Sequence, residues 1–252
     1  MEDFFDFSSQ LMELTPSRPV EHLGDSDLSF GGKLQPALKI HEDGGESGCG
    51  GKVWIAGELL CEFLLEKSDS NGVLSKWQHE KDSQIPLQTV LELGSGTGLV
   101  GLCLGMMCKF RCEDSQIYIT DIDQLVPLME RNIELNKIQN NVIAKKLWWG
   151  EPLESVFAPK EGIRTVDLIL AADCVYLEKA FPLLEKTLLD LTDCEQPPVV
   201  LMSYKKRRKA DKNFFRNIKK NFLVSEIKDF ARYDQYLKQR THLFQLIRIT
   251  KA

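Results

Sequence analysis

The sequence contains no apolar run that approaches the roughly 20 residues a bilayer-spanning helix needs, so no membrane partner is expected. Its first residues, Met1-Glu2-Asp3-Phe4-Phe5-Asp6, carry neither the positive charge nor the apolar stretch of a secretory signal. Histidine is scarce. The four, at 22, 41, 79 and 242, show no metal-ligand spacing, and no metal is expected. The seven cysteines (Cys49, Cys61, Cys103, Cys108, Cys112, Cys174 and Cys194) include no C-x-x-C pair and are odd in number, so they read as reduced, structural thiols. An excess of positive charge is also missing. The formal net charge is −5, which argues against nucleic-acid binding driven by the charge of the whole chain, and no stable nucleic-acid partner is expected. These absences place the protein in the cytoplasm, with the nucleus as a second compartment.

What is present is enough apolar residue, 43% of 252, for one sizeable core. Residues 1–35 are rich in Asp, Ser, Pro and Gly with few periodic apolar positions, and read as a flexible N-terminal tail. His41–Lys52 reads as a loop or turn. Over Trp54–Glu66, Ile55, Leu59 and Phe63 form one stripe and Glu58, Glu62 and Glu66 the other, the pattern of an amphipathic helix. Residues 68–84 are polar and read as an exposed insertion. From Leu87 onward strands and helices alternate. Strands are expected at Thr89–Leu93, Gln116–Thr120, Asn141–Leu147, Val166–Ala171 and Val199–Ser203, with two more at Phe222–Lys228 and Thr241–Thr250. Helices are expected at Leu99–Cys108, Gln124–Asn136, Leu177–Leu191 and Asp211–Asn221. Such alternation implies an α/β fold with a mostly parallel sheet covered on both faces.

The segment Val90-Leu91-Glu92-Leu93-Gly94-Ser95-Gly96-Thr97-Gly98 carries the strongest signal. A buried strand ends at Leu93 and the chain must turn at once into a helix. Glycines permit that turn and let a ligand touch the backbone, and ligands of open parallel sheets settle beyond the carboxyl ends of the strands. Asp121, at the end of the next strand, lies where a carboxylate can accept both hydroxyls of a ribose. It could also serve as a helix N-cap, a role Asp123 could fill instead. Glu92 is a charge inside an apolar strand. Gly96-x-Gly98-x-x-Gly101 formally matches the dinucleotide fingerprint, but two residues out of register with the strand end, which Gly94 already occupies. A Rossmann dehydrogenase or a nucleotide-binding non-enzyme therefore ranks lower.

Val90–Gly98 resembles the first motif of seven-β-strand methyltransferases. The ordered set formed by the Trp54 helix, Leu91–Gly98, Thr120-Asp121, Trp149-Gly150 and Ala172-Asp173-Cys174-Val175-Tyr176 resembles, more narrowly, the family 16 protein-lysine methyltransferases, over about residues 50–250. The basic stretch Tyr204–Lys212 and the C-terminal strands look like those of the fungal members that methylate a lysine of translation elongation factor 1-alpha. The resemblance implies a seven-stranded Rossmann-like sheet whose last strand runs antiparallel, a methyltransferase domain over 36–252, S-adenosyl-L-methionine as cofactor and a protein substrate, and a monomer is expected. It implies cofactor contacts by Trp54, Gly94, Ser95, Gly96, Asp121, Trp149 and Ala172. Trp149 is preferred to Trp148 because it directly precedes Gly150.

Methyl transfer to an amine is an in-line displacement, so alignment is most of the task. A lysine, with an ordinary pKa of about 10.4, must first lose its proton. Asp173 is expected to hold the amine and Tyr176 to orient it, both at the mouth of the site. Asp173 could alternatively be a helix N-cap. Asp-x-x-Tyr also resembles the Asp/Asn-Pro-Pro-Tyr motif of enzymes that methylate base amines, but the two prolines are missing here, which lowers a nucleic-acid acceptor. A small-molecule acceptor also remains open. The run Lys205-Lys206-Arg207-Arg208-Lys209 reads as a solvated face, as a dock for an acidic protein surface, or as a nuclear-localisation or nucleic-acid patch.

Overall fold

A computed structural model describes residues 24–43, 48–68, 87–107 and 115–250. Cys108, Cys112, residues 1–23 and most of the expected insertion, 69–84, lie outside the described residues. Nine strands are described: β1 (Gly24–Leu28), β2 (Leu38–Glu42), β3 (Thr89–Leu93), β4 (Gln116–Asp121), β5 (Val142–Lys146), β6 (Leu168–Ala172), β7 (Val199–Lys205), β8 (Phe222–Glu226) and β9 (Thr241–Arg248). The helices are α1 (Ile55–Lys67), α2 (Leu99–Met106), α3 (Val126–Asn136), α4 (Phe181–Leu191), α5 (Asp211–Ile218) and α6 (Tyr233–Lys238).

Seven strands form one sheet in the order β5-β4-β3-β6-β7-β9-β8, and β1 pairs with β2 as a separate antiparallel ribbon. β5, β4, β3, β6 and β7 are parallel, and β9 runs antiparallel to both β7 and β8. The expected sheet and its antiparallel last strand are therefore present. The tail boundary at residue 35 is corrected, because Gly24–Leu28 is already a strand, paired with Leu38–Glu42. Ser68, placed in the insertion from sequence, is the C-cap of α1. The loop expected over His41–Lys52 begins with the last two residues of β2 and ends in a 3-10 turn at Gly48–Gly51. Helix α6 had no counterpart in the sequence reading.

Two apolar layers sandwich the sheet. On one face Leu59, Leu60 and Phe63 of α1, Leu102 and Leu104 of α2, and Met129 and Ile133 of α3 pack on Val90, Ile117, Ile119, Leu168 and Leu201. On the other, Phe181, Leu184 and Leu188 of α4 and Phe214 and Ile218 of α5 pack on Leu91, Leu93, Ile169, Ala171, Val200 and Met202. Alternate residues of each strand supply alternate faces, as the pleat requires. The glutamate face of α1 holds the β8–α6 connection: Glu66 accepts the Ala231 N–H at 2.9 Å, and Glu62 accepts from the Arg232 guanidinium.

The chain order β3, β4, β5 proceeds to one side of β3, while β6 and β7 lie on its other side. This is a topological switch point, where a crevice opens beyond the strand ends. The register brings Thr120 and Ala171 level with Leu93, so Asp121 and Ala172 flank the turn that starts at Gly94.

Candidate active site

All nine residues singled out from the sequence line one cavity of about 290 Å³: Trp54, Gly94, Ser95, Gly96, Asp121, Trp149, Ala172, Asp173 and Tyr176. Asp121 and Ala172 end strands on opposite sides of β3, two inter-strand spacings or about 10 Å apart. A nucleoside at the first and a reacting group at the second fit that span.

The glycine turn is held by its neighbours. The Ser95 N–H donates to the Thr120 carbonyl at 2.9 Å, and the Ser95 hydroxyl accepts from the Thr120 N–H at 2.9 Å. Ser95 thus staples the turn to β4 as well as lining the cavity. Gly94 and Gly96 have φ of 58° and 56°, where a side chain is strained. A Cβ on Gly94 would come within 2.8 Å of the Trp149 ring, and one on Gly96 within 2.7 Å of the Gly50 carbonyl oxygen. The 3-10 turn at Gly48–Gly51 is therefore laid directly against the glycine loop, a contact that no local pattern of residues signals. Gly101 serves packing: its Cβ would collide with Ile119 on β4, which explains the formal dinucleotide match without a dinucleotide.

Glu92 is fully buried, and its Oε2 accepts the Gly101 N–H at 2.8 Å. Helix α2 begins after Gly98, which has no side chain to cap it, so Glu92 supplies the missing acceptor from β3. Burial pushes its carboxyl up to about 8, against the opposing hydrogen bonds from Gly101, Ser95 and Val100. The folded protein therefore keeps a proton near pH 7 that the unfolded chain, with an ordinary carboxyl near 4.5, has lost. Stability must fall as pH rises through that window. Burial also raises Asp121, to about 6, and acts with the same sign at lower pH. Between pH 6 and 8 Glu92 dominates of the two. Glu92→Gln keeps an oxygen for Gly101 and removes the titration. Its stability is expected to exceed that of wild type at pH 8 by a margin that narrows by about 2 kcal/mol on going to pH 6, because the proton held by folded Glu92 is lost from the unfolded chain down to its ordinary range. Thermal denaturation across pH 6–8 without ligand checks this.

Asp121 is not a helix cap. Its Oδ2 accepts the Gly96 N–H and its Oδ1 its neighbour's, Ile122, both at 2.8 Å. Each oxygen keeps a further lone pair, which matches the two hydroxyls of a ribose. Asp123 instead accepts from the Trp148 indole N–H at 3.3 Å. Both tryptophans line the cavity, but Trp148 is 37% exposed, whereas the Trp149 ring rests against Gly94. Trp54 caps the entrance to α1, and its indole N–H donates to the Cys49 carbonyl at 2.8 Å.

The end of the cavity beyond β6 is built on a bent strand exit. Asp173 has φ of +60°, sparsely populated outside glycine, which throws its side chain sharply off the end of β6. It caps no helix; the 3-10 turn and α4 that follow begin at Glu178 and Phe181 without a side-chain cap. The Tyr176 side chain lies beside Cys49 on the cavity wall. Burial first, then nearby Cys49 and Asp121, push the phenol well above its usual range. Tyr176 therefore stays neutral and offers a hydrogen-bonding wall, not a base.

The sequence reading missed the partner of Asp173. Arg207 meets its carboxylate with two parallel hydrogen bonds, Nη1 to Oδ1 at 2.8 Å and Nη2 to Oδ2 at 2.5 Å. Arg208 turns inward too and donates to the Tyr176 carbonyl. The expectation that the whole run Lys205–Lys209 is a solvated or docking face is thus corrected: Lys206 and Lys209 are exposed, but of the two arginines between them Arg207 lines the cavity beside Asp173 and Arg208 ties the turn to Tyr176.

The chemistry of the walls suits a nucleoside carrying a cationic centre: a carboxylate with two spare lone pairs, a side-chain-free cradle, and the aromatic rings Trp54, Trp149 and Tyr176. The sequence profile of the lysine methyltransferase family matches residues 33–221. The protein-lysine N-methyltransferase EFM6 of Saccharomyces cerevisiae is 65% identical over 240 residues, covering 94% of this chain and 96% of its own. The protein N-lysine methyltransferase METTL21A is 30% identical over 211 residues in Xenopus tropicalis, covering 82% of this chain and 84% of its own. In Mus musculus it is 32% identical over 194 residues, covering 75% of this chain and 76% of its own. The glycine loop and the Asp121 carboxylate suit S-adenosyl-L-methionine, and these likenesses agree on that cofactor and on a protein lysine as acceptor: the chain belongs to the lysine methyltransferase family.

Proposed function

We propose that this protein-lysine N-methyltransferase modifies a lysine of translation elongation factor 1-alpha, and that Asp173 and Tyr176 receive the lysine. The observation that carries the reading is the single cavity that joins Asp121, at the end of β4, to Asp173 and Tyr176, beyond β6. When bound, S-adenosyl-L-methionine supplies an electrophilic methyl group on a sulfonium. In this reading the chain's own residues do the rest. Asp121 holds the ribose through the spare lone pair on each oxygen. Trp54, Trp149 and the side-chain-free turn at Gly94 and Gly96 fix the nucleoside and exclude water. At the other end the Tyr176 oxygen and the free lone pair of Asp173 Oδ2 accept the N–H bonds of the incoming amine. They point its lone pair down the cavity and so hold it in line for displacement. The amine's proton leaves to solvent before attack, since Tyr176 is no base.

What supports elongation factor 1-alpha is the similarity of Tyr204–Lys212 and the C-terminal strands to the fungal enzymes with that substrate. Exposed Lys206, Lys209 and Lys212 beside the acceptor end give an acidic protein surface something to meet. We further place the protein as a cytoplasmic monomer, also present in the nucleus, with no stable nucleic-acid partner and no membrane association. Among the described residues no helix is long and apolar enough to cross a membrane. The test is incubation with methyl-labelled cofactor and an extract from cells that lack the enzyme. Label should enter elongation factor 1-alpha, survive nuclease and be lost to protease. Label lost to nuclease, or confined to another protein, overturns the substrate assignment.

A further inference from the structure

We infer that Arg207 is a positioning residue for methyl transfer: by pairing with Asp173 it makes the acceptor end electrically neutral, so that the target lysine is received as an amine rather than trapped as an ammonium ion. The inference rests on the reading that Asp173 faces the acceptor amine.

The pair is buried and rigid. Both side chains are 8% exposed. A planar guanidinium meeting a carboxylate through two bonds fixes its orientation as well as its charge. The Asp173 Oδ1 also accepts the Lys205 N–H at 3.1 Å, so Oδ1 has two donors and only Oδ2 keeps room for another. The guanidinium carbon sits 5.5 Å from the centre of the Trp54 ring, on the wall shared with the cofactor. The Asp211 carboxylate, itself buried, accepts the N–H groups of both Arg207 and Arg208 at 3.0 Å and thereby folds the turn that carries them. Burial works against the Arg207 charge, but the hydrogen bonds and charge of Asp173 outweigh it and hold the proton more firmly than usual.

The consequence follows from charge. A lysine brought beside a lone buried carboxylate would be held protonated, with its pKa raised, and an ammonium has no lone pair to attack. Beside a neutral pair it meets hydrogen-bond acceptors without net negative charge. The positive cofactor beyond then shifts it toward the amine. A guanidinium is the suitable partner, because it cannot itself give up a proton at any working pH.

Single-turnover methylation of the protein substrate, measured against pH, tests this. The acid limb reports loss of the lysine proton in the ternary complex. Arg207→Gln leaves Asp173 charged and alone, and its limb is expected about one pH unit or more above wild type. Asp173→Asn leaves Arg207 charged and alone, and its limb is expected to move the opposite way. Arg207→Lys retains the charge but not the fork, so its limb should overlay wild type while the rate falls several-fold. A merely structural role lowers rates without moving the limbs in opposite directions. Limbs that coincide for all variants, or that move together, overturn the inference. Should Arg207→Gln fail to fold by circular dichroism, the downward shift of Asp173→Asn still decides. Failure of the underlying reading looks different: Asp173→Asn would then methylate at the wild-type rate.

Discussion

Asp173→Asn is expected to retain cofactor binding and lose methyl transfer by about 10²–10³-fold, the scale on which removal of one preorganised group at a reacting centre is felt. The asparagine is isosteric and keeps an oxygen toward Lys205 and Arg207, but it no longer carries the charge that orders the Arg207 fork. Asp173→Ala is a poorer probe. It strips the partner from a buried cation and is expected to destabilise the fold by about 3 kcal/mol or more, so lost activity would mix with lost structure. Calorimetric titration with S-adenosylhomocysteine, paired with single-turnover methylation, separates the two effects. A folded Asp173→Asn protein that binds cofactor and turns over at the wild-type rate would remove Asp173 from the mechanism.

The second large effect falls on the cofactor itself. Asp121→Asn keeps one oxygen, which the Gly96 N–H takes, and replaces the other acceptor by a donor. One ribose hydroxyl then loses a charged acceptor, worth about 1.5–3 kcal/mol, so affinity for S-adenosylhomocysteine is expected to fall about 10–100-fold. Because burial lifts Asp121 to about 6, the wild-type protein should itself bind less tightly as pH falls through 6. There the carboxylate takes up a proton and loses acceptor capacity. Asp121→Asn has no such titration, and its affinity should stay flat between pH 5 and 7. Isothermal titration over that range measures both. An unchanged dissociation constant in the variant would detach Asp121 from the ribose.

Some of this was legible in the sequence and some was not, for physical reasons. The strand Thr89–Leu93, the turn at Gly94 and the carboxylate at Asp121 are readable because each is local: an apolar run, residues without side chains, and a charge at a strand end. Helix α1 declares itself by period. Glu92 was conspicuous as a charge in an apolar strand, yet its purpose depends on the N–H of Gly101, which only the strand–turn–helix geometry brings near. The Arg207–Asp173 pair spans 34 positions of sequence, and nothing local separates Arg207 from its exposed neighbours Lys206 and Lys209. A charge run shows that most of it is wet, not which member turns in. The Gly48–Gly51 turn was hidden likewise, since its glycines read as a loop rather than as a surface for Gly96. Gly24–Leu28 has no strand-like composition, and it becomes a strand only by pairing with β2, so a tail ending at residue 35 is too long.

The most direct test is a crystal structure with S-adenosylhomocysteine. Both ribose hydroxyls are expected on the Asp121 carboxylate, with the nucleoside between Trp54 and Trp149 over Gly94–Gly96 and the sulfur aimed at Asp173 and Tyr176. A ligand that leaves Asp121 untouched, or whose sulfur points away from Asp173, would contradict that placement.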